Sequence, residues 1–158
     1  MTPAVDSFFH ERTNTITHLV SDPATGHAAV IDSVLDFDPR ALRTTTEAVD
    51  QLIAHIGERK LSVDWILETH LHADHMSAAP YLREALGGQT AIGEHVRDVQ
   101  KTFAGLYNAG PELATDGSQF DRLLADGEVL TIGDLELEVM STPGHTPACA
   151  SYRVGDAL

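Results

Sequence analysis

The sequence contains a single cysteine, Cys149. It can form no intrachain disulfide, and a zinc site built from several cysteines is excluded. No apolar run approaches the roughly 18 residues of a membrane-spanning helix. Residues 1–15 also lack the basic region and apolar run of a secretory signal. We therefore expect a cytoplasmic protein with no membrane partner.

Positive charge is also scarce in this chain. Ten Lys+Arg residues stand against 24 Asp+Glu residues, which gives a formal net charge of −14. Such a surface repels phosphate backbones, so we expect no nucleic-acid partner. The length of 158 residues and the 42% hydrophobic content suit one globular domain covering residues 1–158.

The order of predicted elements is mixed α and β, with hairpins rather than regular βαβ repeats, which favours an α+β fold. A capping box formed by Thr44 and Glu47 is predicted to begin the first helix. We expect Phe8, Phe9 and Trp65 to belong to the core. The predicted strands are 15–21, 28–32, 65–69, 90–92, 129–132, 135–141 and 149–154. The predicted helices are 44–56, 80–87 and 96–103, and loops are expected at 36–39 and 108–119.

A histidine-rich motif, His-Leu-His-Ala-Asp-His, occupies residues 70–75 directly after a predicted strand. Imidazole nitrogens and carboxylate oxygens are good ligands for zinc or iron. His70 and His72 are two residues apart, so on extended backbone both point the same way and can hold one ion. Asp74 and His75 can serve a second ion or orient the ligands of the first. A surface cluster of histidines without function is the alternative interpretation.

His145 is the best candidate for a further ligand. It lies in the segment Thr-Pro-Gly-His-Thr-Pro, residues 142–147. The two prolines restrict this loop, and we expect Gly144 to allow close backbone approach. Taken alone, His145 would be interpreted as a structural or exposed histidine. Because the chain also contains the motif at residues 70–75, we interpret His145 as a metal ligand. Cys149 is expected to pack as a small apolar residue.

These two motifs carry a resemblance to a known family. Together with residues 66–69, 77–82, 92–95 and 146–149, they resemble the metallo-β-lactamase superfamily. Within it, the chain is most similar to the persulfide dioxygenase group, which is close to glyoxalase II. The resemblance implies a four-layer αββα sandwich that is incomplete at the C-terminus.

The resemblance also implies a chemistry. Persulfide dioxygenases of this family bind one iron, Fe²⁺, through two histidines and one aspartate, and His70 and His145 match the two histidines. The implied reaction oxidises glutathione persulfide with O₂ to sulfite and glutathione. Three residues would then orient the ligands without binding the iron themselves: His72, Asp74 and His75.

Zinc hydrolases of the same superfamily imply a different use of these residues. His70, His72 and His145 would hold one Zn²⁺, and Asp74 and His75 would help hold another. A metal-bound hydroxide would attack a thioester. In either case Asp74 is the candidate catalytic residue.

A third alternative is a truncated, non-catalytic metal-binding fragment. The family's aspartate ligand comes from a second Gly-Asp that this chain does not contain, and Asp156 matches a position that is not a ligand. Asp156 is therefore only a substitute candidate. An incomplete sandwich also exposes a sheet edge, which favours pairing, including a homodimer.

Overall fold

The computed structural model describes residues 2–158, and within them the chain forms twelve strands and three helices. The strands are β1 Ala4–His10, β2 Thr15–Ser21, β3 His27–Ile31, β4 Val34–Asp38, β5 Arg43–Thr45, β6 Ser62–Glu68, β7 Met76–Ser77, β8 Gln89–Gly93, β9 Arg122–Leu124, β10 Val129–Ile132, β11 Leu135–Ser141 and β12 Ala150–Val154. The helices are α1 Glu47–Glu58, α2 Ala79–Leu86 and α3 Val96–Leu106. No helix of residues 2–158 is both long and apolar enough to cross a membrane.

The main sheet has six strands in the order β1-β2-β3-β6-β8-β9. Strands β1 to β3 form an antiparallel meander, as the alternating pattern of residues 15–32 predicts for β2 and β3. Strands β3, β6, β8 and β9 run parallel, with helices in the connections that parallel pairing requires. The carboxyl ends of these four strands therefore lie side by side at the same end of the sheet.

Each face of the main sheet packs against a different layer. On one face, α1 and α2 bury side chains such as Leu52 and Leu82 against Ile66. On the other face lies the antiparallel sheet β10-β11-β12, whose residues share a core with Leu67. Trp65 belongs to this second core, as predicted, and its indole N–H donates to the carbonyl of Thr131 at 2.9 Å. This layering of helices, sheet and sheet confirms the predicted sandwich.

The predicted start of α1 is wrong. Thr44 lies in β5, paired with Phe37 in β4, so it cannot cap a helix. The helix begins at Glu47, and the carboxylate of Asp36 in β4 accepts a hydrogen bond from Ala48 N–H at 2.8 Å. A residue from a neighbouring strand thus satisfies the first turn, which local sequence cannot show.

Three further expectations need correction. Residues 36–39 are not all loop, because β4 extends to Asp38. Strands β1, β4, β5, β7 and β9 were not predicted. Of these, β1 carries apolar residues on both faces, with Phe8 packed on the helix layer and Phe9 exposed. The strand therefore lacks the one-sided apolar pattern that reveals most strands, and Phe9 is not a core residue.

Candidate metal centre

The site is built where strands of the main sheet end. The histidine motif follows the last residue of β6, Glu68, and Asp32 follows the end of the adjacent β3. The loop between β11 and β12 brings His145 from the second sheet. This loop is tied to the motif because Ala150 N–H donates to the carbonyl of Thr69 at 2.9 Å. Both sheets therefore contribute to one site.

The four motif histidines lie in a row of close ring contacts. The ring centroids of His70 and His72 are 4.1 Å apart, and those of His72 and His75 are also 4.1 Å apart. His145 lies edge-on to His70 with its centroid 4.9 Å away. The structure thus brings together two motifs that are far apart in the sequence.

Hydrogen bonds determine which ring nitrogen of His70 and of His72 remains free to bind a metal. Nδ1 of His70 contacts the hydroxyl of Thr69 at 2.9 Å, which leaves its Nε2 available. Nε2 of His72 lies 3.0 Å from carboxylate oxygens of both Asp32 and Glu68, which leaves its Nδ1 available. Carboxylates that hold the second nitrogen of a histidine fix its tautomer and ring orientation at metal sites.

The electrostatics of the histidines differ along the row. Burial, followed by the neighbouring His72, lowers the pKa of both His70 and His75, which keeps them neutral with a lone pair to donate. Burial opposes a charge on His72 too, but the hydrogen bonds to Asp32 and Glu68 raise its pKa to about 10. Because these bonds hold the proton on Nε2, a metal would displace only the proton on Nδ1.

Asp32 and Glu68 are functional candidates that the sequence analysis missed. Asp32 accepts hydrogen bonds from Thr69 N–H at 2.7 Å and from the Thr69 hydroxyl at 2.8 Å, besides its contact with His72. Its backbone has a φ of 53°, in the left-handed region that non-glycine residues seldom adopt. Glu68 is buried and also accepts a hydrogen bond from Ser77. The available signal was an acidic residue at the end of each of two adjacent predicted strands.

Asp74 completes a compact donor group. One ligand atom each from His70, His72 and Asp74 lie within 4.8 Å of one another. The Thr15 hydroxyl donates to the Asp74 carboxylate at 3.1 Å, which fixes the carboxylate from β2. Two imidazoles and one carboxylate form a donor set typical of non-haem iron and also compatible with zinc.

His75 provides an independent test of whether the residues suit a metal. Its side chain is 0% exposed, and its Nε2 is buried without a hydrogen-bond partner among residues 2–158. A buried polar atom without a partner is costly unless a water or an ion satisfies it. The orphaned nitrogen of His75, close to the ring of His72 and to the Asp74 carboxylate, fits a site built for a metal.

The loop that carries His145 is held by short-range bonds. Thr142 N–H donates to the carbonyl of Cys149 at 2.9 Å, and Thr146 N–H contacts the Cys149 sulfur at 3.2 Å. Gly144 does not make the predicted close approach, because a Cβ there would meet nothing nearer than 4.0 Å. His145 itself is exposed, so its position depends on this loop rather than on burial.

Asp156 is not brought to the site. It lies in the turn after β12, whose first residue, Ala150, is the end bonded to Thr69. Four residue steps along a strand span about 13 Å, so the turn lies at the opposite end. Beside the histidines is instead a cavity of about 380 Å³, whose lining combines polar residues with the apolar side chains of Leu71, Met76 and Phe120.

Comparison with known proteins agrees with this geometry. The sequence profile described as "Metallo-beta-lactamase superfamily" matches residues 17–158. A probable metallo-hydrolase of Burkholderia pseudomallei is 55% identical over 153 residues, which cover 97% of this chain and 52% of the relative. Glyoxylase B2 of Dictyostelium discoideum is 50% identical over 137 residues, covering 86% of this chain and 47% of the relative.

Persulfide dioxygenases are also among the relatives. The human mitochondrial persulfide dioxygenase ETHE1 is 30% identical over 142 residues, covering 90% of this chain and 44% of that protein. The crystal structure of ETHE1 from Myxococcus xanthus superposes with a TM-score of 0.74 at 27% identity, covering 97% of this chain and 54% of that one. The chain spans about half the length of these relatives. It belongs to the metallo-β-lactamase superfamily.

Proposed function

We propose that this site performs the iron-dependent oxidation of a thiol persulfide, with glutathione persulfide as the substrate. The observation that carries the proposal is the group formed by His70, His72 and Asp74, whose two imidazoles and one carboxylate match the 2-His-1-carboxylate set of non-haem Fe²⁺ oxygenases. This assignment makes His72 and Asp74 ligands, whereas the family resemblance gives them a supporting role beside His70 and His145. Similarity to the persulfide dioxygenases supports it. His145, beside His70, is a further candidate ligand.

The overall reaction would convert glutathione persulfide, O₂ and water into glutathione, sulfite and two protons. The terminal sulfur is oxidised and the S–S bond breaks, while O₂ is reduced. Fe²⁺, when bound, would supply the activation of O₂ that organic side chains cannot provide. The chain's own residues would hold and orient the donors, with Asp32 and Glu68 fixing His72 and with Thr15 fixing Asp74.

The cavity beside the histidines would receive the persulfide. Its apolar surface, from residues such as Leu71 and Met76, suits a soft, weakly hydrated sulfur. Arg83 at the same cavity carries a positive charge that could meet a carboxylate of the thiol carrier. It is presently paired with Asp121 at 2.7 Å. The substrate would therefore enter with its sulfur toward His70 and His72.

The experiment is metal loading followed by two assays. The purified chain would be loaded with Fe²⁺ without oxygen, and oxygen uptake and sulfite would be measured with glutathione persulfide. We expect about one iron per chain, as for other single-iron facial sites, and uptake of O₂. His70→Ala should abolish both, while His95→Ala, a matched change at an exposed histidine, should preserve both.

A zinc-dependent thioester hydrolase of the glyoxalase II type is the second candidate. The orphaned Nε2 of His75 favours it, because a second ion would satisfy that buried nitrogen. Two zinc ions per chain and thioester hydrolysis without oxygen uptake would replace the dioxygenase proposal with this one. Metal binding without either activity would identify a non-catalytic metal-binding fragment.

A further inference from the structure

The cavity beside the histidines contains one permanent positive charge. Arg83 of α2 lines it, and no other arginine or lysine of residues 2–158 does. An arginine stays protonated at every physiological pH. The chain as a whole carries a formal net charge of −14, so most of its surface repels anions. Arg83 is therefore the group in this cavity that attracts an anionic part of a substrate.

Three other polar side chains of the lining already have partners. The hydroxyls of Ser77 and Thr90 each donate to a carboxylate. The amide of Gln119 donates to the carbonyl of Ala114 at 2.7 Å, and its oxygen accepts from Gln100 at 2.8 Å. A polar group that is already paired must give up a bond before it binds a ligand, so these side chains are poorly suited to recognition.

The guanidinium of Arg83 still has donors to offer. Its Nη2 lies 2.7 Å from the Oδ1 atom of Asp121, and this is its one ion pair within residues 2–158. A guanidinium presents its N–H groups as a planar fork that matches a carboxylate. The side chain is 54% exposed, so a molecule in the cavity can reach the nitrogens that Asp121 does not use.

Asp121 holds this guanidinium without lining the cavity itself. The lining includes Arg83 and Thr90 but not Asp121. The Oδ2 atom of Asp121 accepts hydrogen bonds from the N–H and the hydroxyl of Thr90, both at 2.9 Å, which leaves Oδ1 for Arg83. Because Thr90 belongs to β8 of the main sheet, the carboxylate is a firm support. A side chain that is held in place loses less entropy when it binds a ligand.

We propose that Arg83 binds a carboxylate of the substrate and selects acidic thiol carriers, and that Asp121 is its positioning residue. The inference rests on the proposed function, whose carrier, glutathione, has a carboxylate at each end. The carboxylate would bind from the cavity side, while Asp121 keeps its contact with Nη2. A carrier of similar size without carboxylates would lose these charge-assisted hydrogen bonds and bind more weakly.

The test compares S-methylglutathione with its diamide, in which both carboxylates are replaced by neutral amides. Affinities for the metal-free chain would be measured by NMR titration of backbone amides. Arg83→Gln should weaken binding of the acid by about tenfold and leave binding of the diamide unchanged. Asp121→Asn should weaken binding of the acid alone by about threefold, because an ion pair that orients Arg83 is lost. A merely structural role would affect both ligands equally.

Arg153→Gln is the matched control. Arg153 is 57% exposed and pairs with Glu138 on the second sheet, so this change removes the same charge from a similar ion pair outside the cavity. It should leave both affinities unchanged. Three results would each overturn the proposal: no binding of the acid by the unaltered chain, an equal loss for both ligands in Arg83→Gln, or tighter binding of the acid in Asp121→Asn.

The binding assay uses neither iron nor O₂, so its outcome is separate from that of the proposed oxidation. A chain that binds the two ligands as expected but consumes no O₂ with glutathione persulfide would retain the role of Arg83 and lose the proposed function. A chain that consumes O₂ and binds both ligands equally well would retain the proposed function and lose the role of Arg83.

Discussion

Replacing Asp32 with alanine tests whether the carboxylates behind His72 serve the metal site. The change removes the acceptor for Thr69 N–H, for the Thr69 hydroxyl and for one contact of His72. A buried donor left unpaired costs about 1–3 kcal/mol, and His72 keeps its bond to Glu68. We therefore expect the free energy of unfolding without metal to fall by about 2–4 kcal/mol.

The effect on metal binding should be separate from this loss. Removal of a carboxylate that orients a ligand histidine weakens metal affinity by about 10- to 100-fold, or about 1.4–2.8 kcal/mol. Titration with Co²⁺, followed by its visible absorption, measures this affinity directly. Asp32→Asn should be intermediate, because the amide oxygen still accepts a bond from Thr69.

Asp36→Ala provides the control. Asp36 is buried and accepts bonds from Ala48 N–H at 2.8 Å and from His10 at 2.9 Å, but it touches none of the metal candidates. It should destabilise the fold to a similar degree and leave Co²⁺ affinity unchanged. If Asp32→Ala bound Co²⁺ as tightly as the unaltered chain, or if Asp36→Ala weakened binding equally, the positioning role of Asp32 would be refuted.

Two further predictions concern the scaffold. Leu137→Ala removes a fully buried side chain between the sheets. The free energy of unfolding, measured with denaturant, should fall by about 2–5 kcal/mol, and a fall of less than about 1 kcal/mol would contradict the observed packing. The hydrogen bond and charge of Asp64 raise the pKa of His27 above its ordinary value, so the pair stabilises the fold below the unfolded pKa of about 6.5 and loses this contribution as pH rises through the folded value. NMR titration should show the raised midpoint for His27, and Asp64→Asn should abolish the rise.

The sequence was sufficient for the parts of the fold that depend on local pattern. Alternation in residues 15–21 and 135–141 and the apolar stripe near Leu52 predicted β2, β11 and α1. The sequence was insufficient for elements that depend on contacts with residues far away in the chain. The start of α1 depends on Asp36, and β1 is a strand because it pairs with β2 and packs Phe8 on the helices.

The same division applies to the site. The spacing of His70, His72 and Asp74 within one motif revealed a donor group, and the loop motif added His145. Asp32 lies outside both motifs, and its role depends on the parallel pairing of β3 with β6, which places it beside His72. The orphaned nitrogen of His75 likewise appears only when the packing around it is known.

The proximity of His70 and His145 has a consequence for the stability of the fold. His70 follows a strand of the main sheet and His145 follows a strand of the second sheet, so an ion bound by both would cross-link the two layers. Such an ion binds only where the fold has brought the two loops together, so it stabilises the folded chain over the unfolded one. Its stabilisation grows with the logarithm of free metal concentration, and chelation would loosen the sandwich as well as empty the site.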